Sequence, residues 1–128
     1  MCFVADRFNG SHFCGGTLVA ADKVLTAAHC LADFSNTTLK KSVTVIIGNR
    51  TLASVQAEQT FKVSSFAIDP RFDPKTSQFD LAVITLDRKS NITPAPVNSD
   101  SAIPAVKGNT FGAGWGTTQE GGSISNEL

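Results

Sequence analysis

Cys14-Gly15-Gly16-Thr17-Leu18, followed after a short turn by Leu25-Thr26-Ala27-Ala28-His29-Cys30, is the stretch from which the rest of the chain can be placed. Phe13–Val19 and Lys23–Thr26 read as two short strands joined at a polar Ala-Asp turn. Upstream, Phe3–Ala5 and Phe13–Val19 flank a loop holding Asn9-Gly10, a hairpin signal because both residue types accept positive φ. Downstream, Val43–Ile47 is β-branched throughout, with Val43, Val45 and Ile47 on one face. Thr60–Ile68 alternates at Phe61 and Val63, then shifts phase to Phe66 and Ile68, as a bulge near Ser64-Ser65 would produce. Leu81–Leu86 is apolar at nearly every position, the pattern of a strand covered on both faces. No segment sustains a 3.6-residue apolar period, so long helices are not expected. Short strands with turn signals between them predict an all-β chain, barrel or sandwich.

From Lys89 to Gly108 the texture changes to prolines and small polar residues, which predicts a linker. Thr110–Gly116 beyond it reads as one more strand, followed by a Gly-rich tail. The expected organisation is a first barrel over residues 1–88, a linker over 89–109 and the opening strand of a second barrel in 110–128. A lone strand beyond a linker cannot bury its own face, so Phe111 and Trp115 are expected to be uncovered.

The chain has 128 residues, 41% of them apolar and 17% charged, the balance of a folded domain rather than a disordered chain. Eleven basic residues meet eleven acidic ones. Without clustered positive charge, neither nucleic acid nor an anionic membrane is an expected partner. The adjacent basic pair Lys40-Lys41 reads as a solvated loop. No apolar run approaches the roughly 18–20 residues of a membrane span. Met1–Ala5 is too short for a signal peptide. Two features nonetheless point to a secreted protein. Four Asn-x-Ser/Thr triplets, at Asn9, Asn36, Asn49 and Asn91, exceed the roughly one or two that composition predicts. These are candidate glycosylation sites, although Asn9-Gly10 also has its hairpin reading. The second feature is Cys14 and Cys30; Cys2 is left over with no evident partner.

Taken residue by residue, His29 beside Cys30 is more often structural than catalytic. A metal site among Cys14, Cys30, His29 and His12 lacks the Cys-x₂-Cys or His-x₃₋₅-His spacing that zinc sites use. No metal or cofactor is expected. Cys14 and Cys30, with fifteen residues between them, are either bridged or two buried thiols.

The combination is more specific. Cys-Gly-Gly-Thr-Leu at Cys14–Leu18 and Thr-Ala-Ala-His-Cys at Thr26–Cys30 closely resemble the chymotrypsin/trypsin family of serine proteases. Phe79-Asp80-Leu81-Ala82-Val83-Ile84 and Gly114-Trp115-Gly116 resemble two more of its landmarks, in the right order. Asp69-Pro70-Arg71-Phe72 is similar to its His-Pro-x-[Phe/Tyr] stretch, with Asp69 in place of the usual His. The resemblance runs over essentially the whole chain. It implies a trypsin-like antiparallel β-barrel, the first of two, and peptide or protein substrates.

By that resemblance His29 is the general base and Asp80 the carboxylate that orients it. A serine hydroxyl is a poor nucleophile until an imidazole takes its proton, and histidine titrates near working pH. The aspartate then fixes the imidazole tautomer and stabilises the imidazolium. Outside that context Asp80 reads as a strand-end cap. The family bridges the pair equivalent to Cys14 and Cys30, a loop whose closure contributes roughly 3 kcal/mol in the chain-entropy account. Trp115 is implied to be core.

Three departures limit the expectation. In this family the order is His, Asp, then Ser within Gly-Asp-Ser-Gly-Gly. No such segment occurs here, and Ser123 after Gly121-Gly122 reads as a loop serine. The nucleophile, oxyanion-hole amides and specificity pocket belong to the second barrel, so these 128 residues alone are expected to be inactive. The family's mature start, Ile-Val-Gly-Gly, is missing; Met1-Cys2-Phe3-Val4 resembles the middle of the first barrel strand, with Met1 expected to be an internal methionine. Lys23 stands where the family usually has Trp. Two functions follow: a serine endopeptidase represented by its front part, or a non-catalytic homologue acting as a secreted binding or inhibitor module.

Overall fold

The computed structural model describes residues 3–128, with side chains from Phe8 onward except that of Asn36. Cys2 lies outside the described residues. Six strands form a closed antiparallel barrel in the order β1-β2-β3-β6-β5-β4: β1 Phe3–Phe8, β2 Ser11–Ala20, β3 Lys23–Thr26, β4 Val43–Ile47, β5 Thr60–Ile68 and β6 Ala82–Leu86. The β1–β2 hairpin turns at Asn9 and Gly10, with φ of 49° and 85°, as their residue types require. β1 pairs with β4 over Val4↔Ile47 to Phe8↔Val43, and that pairing closes the sheet. The register of β5 on β6 shifts between Val63 and Ser65, where the apolar phase of the sequence slips.

Inside the barrel, Leu18, Val24, Val45 and Ile84 are fully buried, with Val43, Ile47, Phe61, Val63 and Leu86 around them. Gly16 shows why β2 needs a glycine where it runs beside β3. A Cβ there would sit 2.8 Å from the Leu25 carbonyl oxygen and 2.9 Å from Val24 Cγ1. β3 crosses β2 too closely for any side chain.

Several expectations are corrected. Leu81–Leu86 is not covered on both faces: Ala82, Ile84 and Leu86 are buried, Val83 and Thr85 only partly, and Leu81 is exposed. An open apolar run in this short barrel marks one full face and one half-covered face. The residues before β4 form a helix, α1 (Asn36–Ser42), rather than a loop. Ser35 caps it by accepting from the Thr38 amide at 3.2 Å. Leu39 is the one fully buried residue among its described side chains, and a single apolar position leaves no period to read. Lys40 and Lys41 occupy its last turn, where cations suit the helix dipole.

The Thr110–Gly116 strand is also corrected. The segment is irregular, because a strand needs a neighbour and none lies beside it among the described residues; Thr117↔Ile124 is an isolated bridge. Phe111 is fully exposed, as expected, but Trp115 is not. Its ring covers Ile46 and Leu52 on the outside of the barrel, and Nε1 donates to the Arg50 carbonyl at 3.0 Å. Backbone bonds from Leu52 to Asn126 and from Leu128 to Arg50 fasten the tail there. Residues 90–95 likewise lie along the barrel, through Ser90 N–H to Ala21 O and Ala95 N–H to Leu18 O.

Gly16→Ala is expected to destabilise the chain by about 1–3 kcal/mol, read from denaturant midpoints. An unchanged midpoint would show that β2 and β3 can move apart without cost.

Candidate active site

β3 pairs with β6 through Thr26↔Ala82, so the end of one strand lies beside the start of the other. His29 follows three residues after Thr26 and Asp80 precedes Ala82 by two. The fold thereby brings together two residues 51 positions apart. Thr26, the buried polar residue at this end, is satisfied by donating its hydroxyl to Gly15 O at 2.8 Å.

After Thr26 the chain enters a 3-10 turn, Ala28–Cys30. Ala28, Cys30 and Leu31 are buried, which turns His29 outward. Cys30 is bonded to Cys14 on β2, with the two Cα atoms 6.3 Å apart. The disulfide implied by the resemblance is therefore present, and it ties the His29 turn to the neighbouring strand. Cys14, His29 and Cys30 offer donor atoms within 4.8 Å of one another. Both sulfurs are consumed in the disulfide, so they are not the thiolates a metal centre would need.

Asp80 receives His29 twice. Its Oδ1 accepts the His29 backbone N–H at 2.8 Å, and its Oδ2 lies 2.6 Å from His29 Nδ1. An ionised carboxylate only accepts, so Nδ1 carries the proton and the Nε2 lone pair is left outward. Nε2 lies 3.6 Å from Cys30 Sγ. The imidazole hydrogen bond is the main cause holding the Asp80 carboxyl below the usual carboxylate range; the His29 amide adds to it, and desolvation opposes both. The His29 side chain is 64% exposed and that of Asp80 23%. The ring is open to an incoming group while its partner is mostly covered.

Next to β2, a cleft of about 390 Å³ is bounded by His12–Thr17 on one side and Ala113–Gly116 on the other. His12 meets the Trp115 ring edge-on, with centroids 6.0 Å apart. Of the four sequon asparagines, Asn9 and Asn91 are exposed. Asn49 donates Nδ2–H to Ser54 O at 2.8 Å. Asn36 opens α1, and its side chain lies outside the described ones.

Arg71 and Phe79 stand in the sequence only as members of motifs, with no role of their own legible there. Arg71 forks onto Asp69, with Nε–Oδ1 at 3.0 Å and Nη2–Oδ2 at 2.7 Å, and lies over the Phe79 ring. The one available signal was Asp69 itself, an acid two residues before an arginine where the family has histidine.

The Trypsin family model matches residues 1–128. This chain belongs to the trypsin family. Among curated relatives, human granzyme M is 37% identical over 125 residues, covering 94% of this chain and 46% of its own length. Trypsin of Saccharopolyspora erythraea is 32% identical, covering 94% of this chain and 51% of its own. A solved structure titled human heparin binding protein superposes with a TM-score of 0.71 at 29% identity, covering 98% of this chain and 56% of that one. The trypsin-family chain described here thus spans about half the length of the relatives it matches.

Depressed carboxyl pKa values at this end of the trypsin-family barrel, those of Asp69 and Asp80 among them, contribute to its response to acid. Asp69 is lowered to about 2, chiefly by the Arg71 side-chain hydrogen bonds, and Asp80 is lowered as described. A carboxylate depressed on folding adds stability that is complete above its unfolded value and lost as pH falls through the folded one. Melting temperature is therefore expected to fall from about pH 4 toward pH 2, with a shallower fall in an Asp69→Asn/Asp80→Asn variant. Equal slopes in the two proteins would show that neither pair persists in solution.

Proposed function

We propose that the chain supplies the general base, His29, and its orienting carboxylate, Asp80, to a serine-type endopeptidase. The nucleophilic serine would come from polypeptide beyond these 128 residues. The observation that carries this reading is the double acceptance of His29 by one carboxylate. It fixes both the imidazole tautomer and the ring's place on the backbone, as a general base requires.

In the proposed reaction, Nε2 takes the serine Oγ proton as Oγ attacks the scissile carbonyl. The Asp80 charge stabilises the resulting imidazolium, and Nε2 then gives the proton to the leaving amine. Water repeats the sequence on the acyl-enzyme. Proteins or peptides would be the substrates.

The same reading assigns residues 1–88 to the first barrel, 89–109 to a linker and 110–128 to the opening of a second unit. Exposed Val97, Ile103, Val106 and Phe111 support a further layer of chain over this segment. The disulfide and the sequons at Asn9, Asn36, Asn49 and Asn91 support secretion, since oxidising compartments preserve such bonds. The solved relatives titled heparin binding protein raise the non-catalytic alternative. Here eleven basic residues are balanced by eleven acidic ones, which gives a polyanion no net attraction, and the His29–Asp80 pair is intact.

The test is to isolate the protein from its source, sequence it to its carboxyl end and assay it on casein and on peptide amides. We expect a continuation containing Gly-Asp-Ser-Gly-Gly and hydrolysis blocked by a serine-directed phosphonylating reagent. In that protein Asp80→Asn is expected to lower kcat by about 10⁴-fold, the loss the same change causes in chymotrypsin-type triads. A continuation without such a serine would sink the endopeptidase reading and leave the binding module.

A further inference from the structure

Phe79, immediately before Asp80, has φ of 53°. That left-handed region is unfavourable for a bulky residue. The hydrophobic core does not hold Phe79 there, because the residue is 48% exposed. Two backbone contacts bracket it: the Leu81 amide donates to Phe79 O at 2.7 Å, and the Asp69 amide donates to Leu81 O at 2.9 Å. On the side-chain face the Arg71 guanidinium lies over the ring, with Cζ 4.2 Å from the centroid.

Arg71 is itself held. Asp69, the first residue after β5, accepts from the Arg71 amide at 2.9 Å and from the guanidinium fork. The Asp69 side chain is only 15% exposed, so the anchor is fixed to the barrel rim while the clamp reaches over the surface. From β5 outward the order of support is Asp69, Arg71, Phe79 and then Asp80.

We propose that Arg71, anchored by Asp69, clamps Phe79 in its left-handed conformation and so aims the Asp80 carboxylate at His29. This makes Arg71 and Phe79 positioning residues, and it rests on the reading of His29 and Asp80 as a catalytic pair. Rotating Phe79 toward an ordinary φ would swing the next residue's side chain away from both His29 donors. The pair would then separate without any change inside the barrel.

The experiment uses the ¹⁵N-labelled full-length protein. It follows amide exchange at His29, whose N–H is bonded to Asp80, and the low-field resonance of the His29 Nδ1 proton. Arg71→Leu removes the clamp; Phe79→Leu keeps apolar bulk but removes the ring face. In each, exchange at His29 is expected to quicken at least about tenfold and the low-field proton to be lost. The core amides of Val45 and Ile84 should keep wild-type rates. Adding Phe79→Asn to Arg71→Leu is expected to restore His29 protection, because asparagine tolerates positive φ without a clamp.

Unchanged exchange at His29 in the single variants would overturn the clamp. Equal acceleration at Val45 and Ile84 would overturn it too, by showing a loss of overall stability instead. Failure of Phe79→Asn to restore protection would remove the conformational argument. If the wild-type chain shows neither a protected His29 amide nor a low-field proton, it is the catalytic pair that fails, and the clamp with it.

Discussion

Closure of the sheet is the constraint on which the rest depends. A six-strand antiparallel sheet left open would present two edges able to pair with other chains. Pairing β1 with β4 removes both and fixes the stagger of every strand, since tilt and register in a barrel are linked. The site follows from that stagger. With Thr26 opposite Ala82, the turn after β3 and the loop before β6 emerge at the same point on the rim. His29 and Asp80 need no further folding event to meet. Their separation in sequence measures only how long the chain takes to travel around the barrel.

The rim is tied more firmly than the strands alone would tie it. The Cys14–Cys30 bond fixes the His29 turn to β2, and Thr26 bonds to the Gly15 carbonyl just inside it. Gly16 lets the two strands come close enough for both contacts. These features lie within the two short motifs that frame the turn, so the motif glycines and cysteines answer to geometry at one corner of the barrel. Trp115 serves a different need: it covers Ile46, which points outward from β4.

Most of the barrel could be read from the sequence because its strands alternate, and alternation survives without knowledge of partners. Val43, Val45 and Ile47 announce their shared face, and the slip after Val63 announces the bulge. What could not be read depended on tertiary context. Among its described side chains helix α1 fully buries only Leu39, and its signal is a serine cap rather than a period. Leu81–Leu86 looks two-sided because Leu81 and Val83 are apolar, yet in a small barrel the outer face is covered only where a loop crosses it. Trp115 is buried, as the family resemblance implies, whereas its segment reads in sequence as a strand with nothing to cover the ring. The chain instead folds the ring back onto the barrel it has just left. His29 and Asp80 were legible by motif, whereas a role for Arg71 and Phe79 was not, since a clamp made of an ion pair and a ring face leaves no spacing rule.

Stability alone gives a poor account of the His29–Asp80 contact. An ion pair with one partner 64% exposed contributes little to stability, and water would satisfy both side chains nearly as well. Yet the carboxylate spends both oxygens on one residue, its backbone and its ring. The residue before it also sits in an unfavourable conformation. Arrangements of this kind persist where the surroundings over-determine them, and here the disulfide, the Thr26↔Ala82 register and the Arg71 clamp all converge on the same two side chains. Such convergence on a solvent-facing imidazole is what proton transfer requires and what packing does not. That contrast supports the proposal that the rim of this trypsin-family barrel serves proton transfer rather than holding an exposed ion pair.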